Sequence, residues 1–171
     1  MAYNRINSES IAEDGLDLRV KSISLDGVGI TATASEINQY TDDSARNEVV
    51  TATNVITASE SGKTFFLNSA TEFVSTLPAP ALGLRFTFIV AAAPSGASYT
   101  VVTTSSANII KGNQNSVAGD AGDFGTADDT VTFVDGQSVA GDKVEFFCDG
   151  TSWFAYAISK VAAGITFTQA S

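Results

Sequence analysis

Histidine is absent from this chain. That removes the commonest general base, every Ser-His-Asp or Cys-His nucleophile arrangement and all histidine-dependent zinc sites. Cysteine occurs once, at Cys148, so no intramolecular disulfide and no thiol pair for a metal can form. The residue reads as a small buried hydrophobe in a strand. Positive charge is scarce: nine Lys and Arg stand against nineteen Asp and Glu, for a net charge of −10. Such a surface repels phosphate backbones and anionic bilayers, so neither nucleic acid nor membrane is an expected partner. No apolar run reaches the length of a membrane span, and "FTFIVAAAP" stops at Pro94. "MAYNRINSESIAED" lacks the apolar core of a secretory signal. Among motifs, G-x-S-x-G, G-x-x-x-x-G-K-[ST] and G-x-G-x-x-G are all missing. "GDAGDFG" is glycine-rich but precedes a strand pattern, which argues against a phosphate cradle.

What is present is a turn-rich globular composition. Hydrophobic residues make up 44 % of the 171-residue chain and charged residues 16 %, with fourteen glycines. This is one domain, or one domain with an arm. From Val49 onward short runs of Val, Ile, Phe, Thr and Tyr are punctuated by Gly, Pro, Asn and Asp. They predict strands at Val55–Ala58, Thr64–Asn68, Glu72–Thr76, Arg85–Ala91, Ser98–Thr103, Asn108–Lys111, Thr130–Val134, Asp142–Cys148 and Trp153–Ser159. Turns are expected at Ser61–Gly62, in "APSGAS" and, most strongly, at Asp149–Gly150. Pro78 and Pro80 cannot donate ladder hydrogen bonds, so "LPAPALG" is an edge or a crossing loop. The expected fold is mainly β: an antiparallel β-sandwich or jelly-roll-like barrel over residues 49–171.

Residues 1–48 read differently. The first fifteen are polar and aperiodic, and "LDLRVKSISL" then alternates as a strand broken near Lys21–Ser22, with a turn at Asp26–Gly27. Thr33 and Glu36 fit a capping box, and Ile37 and Tyr40 follow on one side of a single turn, so a short helix is expected at about 34–40. A helix this short needs packing to persist. Its role is either a local plug under the body or a junction that sets the exit of an N-terminal arm.

Candidate chemistry is thin. Asp120, Asp123, Asp128 and Asp129 form the densest acidic set, in the long Gln114–Thr130 loop. They fail the spacing of a calcium loop, and solvated loop charges are the default reading. No catalytic residue, metal ligand or cofactor is assigned. The aromatics say more. Phe65–Phe66, Phe146–Phe147 and Trp153–Phe154 are adjacent pairs within strand patterns, so one ring of each must point away from the core. Strands apolar on both faces suggest a second covering layer, most simply a partner subunit. Phe86, Phe88, Phe146, Phe147, Trp153, Phe154 and Tyr156 are therefore assigned to the core or to a subunit interface.

At the level of motifs, "GVGITATASEINQYTDD" resembles the T-A-x-E-[IL]-N segment of tailed-phage virion structural proteins. "TLPAPALGLRFTFIVA", "ANIIKG", "DTVTFVDG" and "GDKVEFFCDGTSWFAYA" resemble the β-domain of phage head decoration (cement) and related fibre proteins. The resemblance spans about Gly27 to Tyr156. It implies a trimer on the outer capsid surface, with an N-terminal segment on the major capsid protein. The implied contact residues are Arg5, Leu16, Leu18, Arg19, Val20 and Lys21, and Thr33, Glu36, Ile37 and Tyr40 would form the junction between arm and body. The expectation is a non-enzymatic virion protein that bridges capsomers. The alternatives are a tail or fibre module that binds host surface glycan and a carboxylate hydrolase.

Overall fold

Strand follows strand in the computed structural model, which describes residues 24–25, 28–29, 31, 37, 43–69, 71–116 and 127–169. The chain divides into two compact units, residues 1–38 and 39–171. In the first, β1 (Ser24–Leu25) pairs antiparallel with β2 (Val28–Gly29). The helix expected at about 34–40 is not seen: that stretch lies outside the described residues except for Ile37, which is 38 % exposed. The only helices of more than one residue among the described residues are short 3-10 turns.

The second unit holds β3 (Asn47–Val50), β4 (Asn54–Val55), β5 (Thr64–Leu67), β6 (Phe73–Thr76), β7 (Leu82–Val90) and β8 (Tyr99–Val102). It continues with β9 (Ile110–Ser116), β10 (Ala127–Asp128), β11 (Thr130–Phe133), β12 (Lys143–Asp149), β13 (Trp153–Ser159) and β14 (Ile165–Thr168). One sheet has seven strands in the order β10-β9-β13-β12-β7-β5-β3, and the other has five in the order β14-β11-β8-β6-β4.

The mainly-β expectation holds, but the sheets are mixed rather than antiparallel. From β3 to β8 successive strands alternate between the two sheets. Each strand thus meets in its own sheet the strand two places earlier, running the same way: β3, β5 and β7 are parallel, as are β4, β6 and β8. The "LPAPALG" segment is one such crossing, between β6 and β7. Later pairings are antiparallel, including the β12–β13 hairpin at Asp149–Gly150, except that β13 runs parallel to β9. Gly150 there has φ +101°, a conformation that disfavours any side chain.

Alternation along each strand sorts the side chains. In β13 Trp153, Ala155, Ala157 and Ser159 are buried, while Tyr156 and Ile158 are exposed. The buried faces of both sheets feed a single hydrophobic cluster. Across β5, β7, β12 and β13 it is a run of rings: Phe65 and Phe88 stack at 5.1 Å, Phe88 meets Phe146 edge-on at 5.6 Å, and Phe86 lies 5.7 Å from Trp153. Each fully buried ring is worth about 1.5–3 kcal/mol of transfer free energy. The two sheets approach closely where Gly112 of β9 faces the Phe167 ring of β14: a Cβ at position 112 would lie 2.3 Å from a ring carbon.

Buried polar groups tie the connections down. The Asp142 carboxylate accepts hydrogen bonds from the Ser138 hydroxyl (3.0 Å), the Val139 amide (3.0 Å) and the Lys160 amide (2.9 Å). It thereby joins the turn before β12 to the segment after β13. The Tyr99 hydroxyl donates to the Ser69 carbonyl at 2.6 Å and so anchors the loop before β6.

Candidate functional site

The residues assigned from sequence separate cleanly by depth. Phe86, Phe88, Phe146 and Trp153 are fully buried. Phe147 is 44 % exposed and Tyr156 49 % exposed, and Phe154 is half-buried. Each doublet does split between faces: Phe65, Phe146 and Trp153 point inward, and Phe66, Phe147 and Phe154 point outward. The arm residues Arg5, Leu16, Leu18, Arg19, Val20 and Lys21, and Thr33, Glu36 and Tyr40 of the junction, lie outside the described residues.

Strand register assembles the outward side chains into three rows on the outer face of the seven-stranded sheet. The first row is Lys111, Phe154, Phe147 and Arg85. The second is Asn113, Tyr156, Glu145, Thr87, Thr64 and Asn47. The third is Asn115, Ile158, Lys143, Ile89, Phe66 and Val49. Val49 is 59 % exposed and Ile158 49 % exposed. A face this rich in rings and branched aliphatics is unusual on a solvated sheet, and such patches mark interaction sites.

Its charges are three cations, Lys111, Arg85 and Lys143, and one anion, Glu145. Lys143 pairs with Glu145 at 3.1 Å, and Lys111 lies 5.3 Å over the Phe154 ring. Phe147 and Tyr156 meet edge-on at 6.1 Å. Asp149, at the strand end, accepts from the amides of Ser152 (2.7 Å) and Thr151 (2.8 Å), and those bonds hold its carboxyl below the usual range. A shallow depression of about 240 Å³ opens beside Phe147, lined by Gly62, Lys63, Arg85, Thr87 and Glu145. Gly62 has φ +92° and presents no side chain there.

A second polar cluster sits at the rim. Thr57-Ala58-Ser59-Glu60 repeats the tetrapeptide of Thr33–Glu36, and the structure shows what it does. The Glu60 carboxylate reaches back to accept from the Thr57 amide (2.8 Å) and hydroxyl (2.8 Å) across a 3-10 turn. Lys63 bridges Glu60 and Glu48, at 2.9 Å each. Burial pushes the Glu60 carboxyl up, but the Thr57 and Lys63 hydrogen bonds and the Lys63 charge outweigh it and leave it below its ordinary value. For Lys63 burial acts downward, and the two carboxylates outweigh it to raise the ammonium.

The acidic loop needs a correction. Asp128 and Asp129 are not solvated charges but are 4 % and 1 % exposed. Asp128 is held in β10 against β9, and the Asp129 backbone links Thr103 to Thr168 while its carboxylate accepts from the Thr130 hydroxyl at 2.6 Å. Asp120 and Asp123 lie outside the described residues. Among the described residues no group of three or more His, Cys, Asp or Glu could hold a metal ion, and no helix is long and apolar enough to cross a membrane. Glu60 caps a turn, Asp142 and Asp149 hold turns, and Glu48 and Glu145 are in ion pairs. Set against known protein families, characterised proteins and solved structures, the chain matches none of them.

Proposed function

We propose that this protein is a non-enzymatic virion structural protein that decorates the outer surface of a phage head and bridges neighbouring capsomers. The observation that carries the reading is the outer face of the seven-stranded sheet, where Val49, Phe147, Tyr156 and Ile158 stand exposed on strands whose other face is core. Its two mixed sheets would pack as a sandwich, with that face covered by another copy in a homotrimer. The major capsid protein would be held through the N-terminal arm. Association of this kind draws on apolar area and added strands more than on ion pairs. The motif resemblance from Gly27 to Tyr156 supports the same assignment.

The test removes Met1–Gly29. The truncated body is expected to fold and self-associate but to leave undecorated heads in the supernatant on co-sedimentation, whereas the intact protein pellets with them at low and moderate salt. Salt tolerance follows because surface ion pairs alone would be screened. Full occupancy by the truncated protein would move the anchor to the body, and loss of the intact protein in moderate salt would make the contact electrostatic.

One observation favours a second reading, a tail or fibre module that binds host surface glycan. Phe147 presents its ring beside Arg85, Thr87 and Glu145 at the 240 Å³ depression, with Tyr156 edge-on to it at 6.1 Å, which is a combination suited to a sugar ring and its hydroxyls. Binding on a glycan array, abolished by Phe147→Ala, would establish it.

A further inference from the structure

Strand register gathers Arg85, Lys111 and Lys143 on the outer face with a single acid, Glu145, on a chain that carries −10 overall. Most of the charges there are already engaged. Lys143 pairs with Glu145 at 3.1 Å, and Lys111 lies 5.3 Å over the Phe154 ring. Lys63, which borders the face, is held by Glu48 and Glu60. Arg85 is the exception. Its amide donates to the Ser61 hydroxyl and its carbonyl accepts from the Gly62 amide, but among the described residues its guanidinium has no hydrogen bond and no acid. Glu145 stands diagonal to it across β7 and β12, a separation of about 7–8 Å that long side chains can close. Glu145 turns to Lys143 instead. Gly62 leaves the guanidinium uncovered on the other side, where even an added Cβ would come no nearer than 4.0 Å to its Nε.

This unpaired cation lines the 240 Å³ depression, with the exposed Phe147 ring opposite it in register and with Thr87 and Glu145 forming the next cross-strand pair. Each group restricts the occupant. A guanidinium is a planar fork of donors that matches a carboxylate. The Phe147 ring offers a flat apolar surface. The remaining lone pairs of Glu145 and the Thr87 hydroxyl call for hydroxyl partners, and the Glu145 charge repels an occupant that is anionic throughout. An acidic side chain of a protein partner supplies the carboxylate but neither a ring face nor hydroxyls. A neutral sugar supplies the ring face and the hydroxyls but leaves Arg85 unmatched. A sugar ring that carries a carboxylate supplies all three. The size agrees: 240 Å³ is below the roughly 300–1,000 Å³ of pockets for drug-sized ligands, which suits one sugar ring.

We propose that the depression beside Phe147 binds one carboxylate-bearing residue of an acidic glycan, with Arg85 on the carboxylate, Phe147 against the ring face, and Thr87 and Glu145 on the hydroxyls. The proposal rests on the second reading above, the glycan-binding module, in which this part of the outer face is open, and it names the class of sugar.

The test uses full-length protein on an array of sialylated and uronic-acid glycans, their carboxyl methyl esters and neutral glycans, with the bound glycans then titrated in solution. The variants are Arg85→Gln, Phe147→Ala and, as a control for net charge, Lys160→Gln, an exposed lysine outside the three rows. All three positions are exposed, so each variant should melt as wild type does. Wild type is expected to bind the free acids and to lose them on esterification. Arg85→Gln and Phe147→Ala should each weaken that binding by about tenfold or more, and Lys160→Gln should leave it unchanged. Equal binding of acids and esters overturns the carboxylate assignment while the glycan reading survives. Acid binding that persists in Arg85→Gln or Phe147→Ala overturns the site, as does an equal loss in Lys160→Gln. Wild type that binds no glycan overturns the glycan reading and this proposal with it; if it then captures a poly-glutamate peptide that Arg85→Gln does not, the occupant of the face is an acidic protein.

Discussion

Gly112→Ala probes the closest approach of the two sheets. Gly112 lies in β9 facing inward, and an added Cβ would sit 2.3, 2.4 and 2.6 Å from three atoms of the Phe167 ring. One of these is Cγ, so rotating the ring cannot clear the clash and the whole side chain must move. Overpacking of this kind costs about 1–3 kcal/mol. Against it stands a gain of about 0.5–1 kcal/mol, because alanine loses less backbone freedom than glycine on folding. The net expectation is a loss of about 1–2 kcal/mol. For a chain of this size that lowers the melting temperature by about 2–8 °C, at roughly 2–4 °C per kcal/mol. Urea and thermal denaturation of Gly112→Ala, Phe167→Ala and the double variant would measure it. In the Phe167→Ala background the obstacle is gone, so Gly112→Ala should become neutral or stabilising there, a reversal that only direct coupling produces. A higher melting temperature for Gly112→Ala in the wild-type background would refute the contact, as would an equal cost in both backgrounds.

Other perturbations follow from single sites. Trp153→Ala removes a fully buried ring that touches Phe86 and Phe146, and should cost about 3–5 kcal/mol by urea denaturation; an unchanged midpoint would place the ring at the surface. Asp142→Ala strips three donors of their acceptor and should cost about 2–4 kcal/mol, with faster amide exchange at Val139 and Lys160. The Glu60 carboxyl is held below its ordinary value, so its contribution is complete above that value and lost as pH falls through the lowered one. Glu60→Gln should therefore be less stable than wild type at pH 7, by about 0.5 kcal/mol for a partly solvated cluster, and the two melting curves should converge in strong acid. Lys63 works in the other sense: its ammonium is raised, so its share persists below the ordinary lysine value and disappears as pH climbs through the raised one.

Much of the fold was legible residue by residue, and the limits of that reading are physical. Period-two alternation in "WFAYAIS" gave β13 its ends and its buried face, because side chains of neighbouring strand residues must point to opposite sides. The same rule split the aromatic doublets, and Asp149–Gly150 marked the hairpin because few residues accept its backbone geometry. Those are local constraints, carried by a few adjacent residues. The partner of each strand is not local. Turn residues signal that the chain reverses, but not which sheet receives it, so strands that alternate between sheets read as antiparallel neighbours when β3, β5 and β7 are in fact parallel. The strand Ile165–Thr168 went unread for the same reason, since its pairing with β11 supplies what four residues of local pattern could not. Asp128 and Asp129 looked solvated in a run of Gly and Asp, and only pairing with distant strands buried them. Composition and alternation determined that this chain makes β-strands with apolar residues on both faces; tertiary structure alone decided that Gly112 meets Phe167, and that Val49, Phe66, Ile89 and Ile158, separated by more than a hundred residues of chain, stand in one row, because both depend on which strands close against each other.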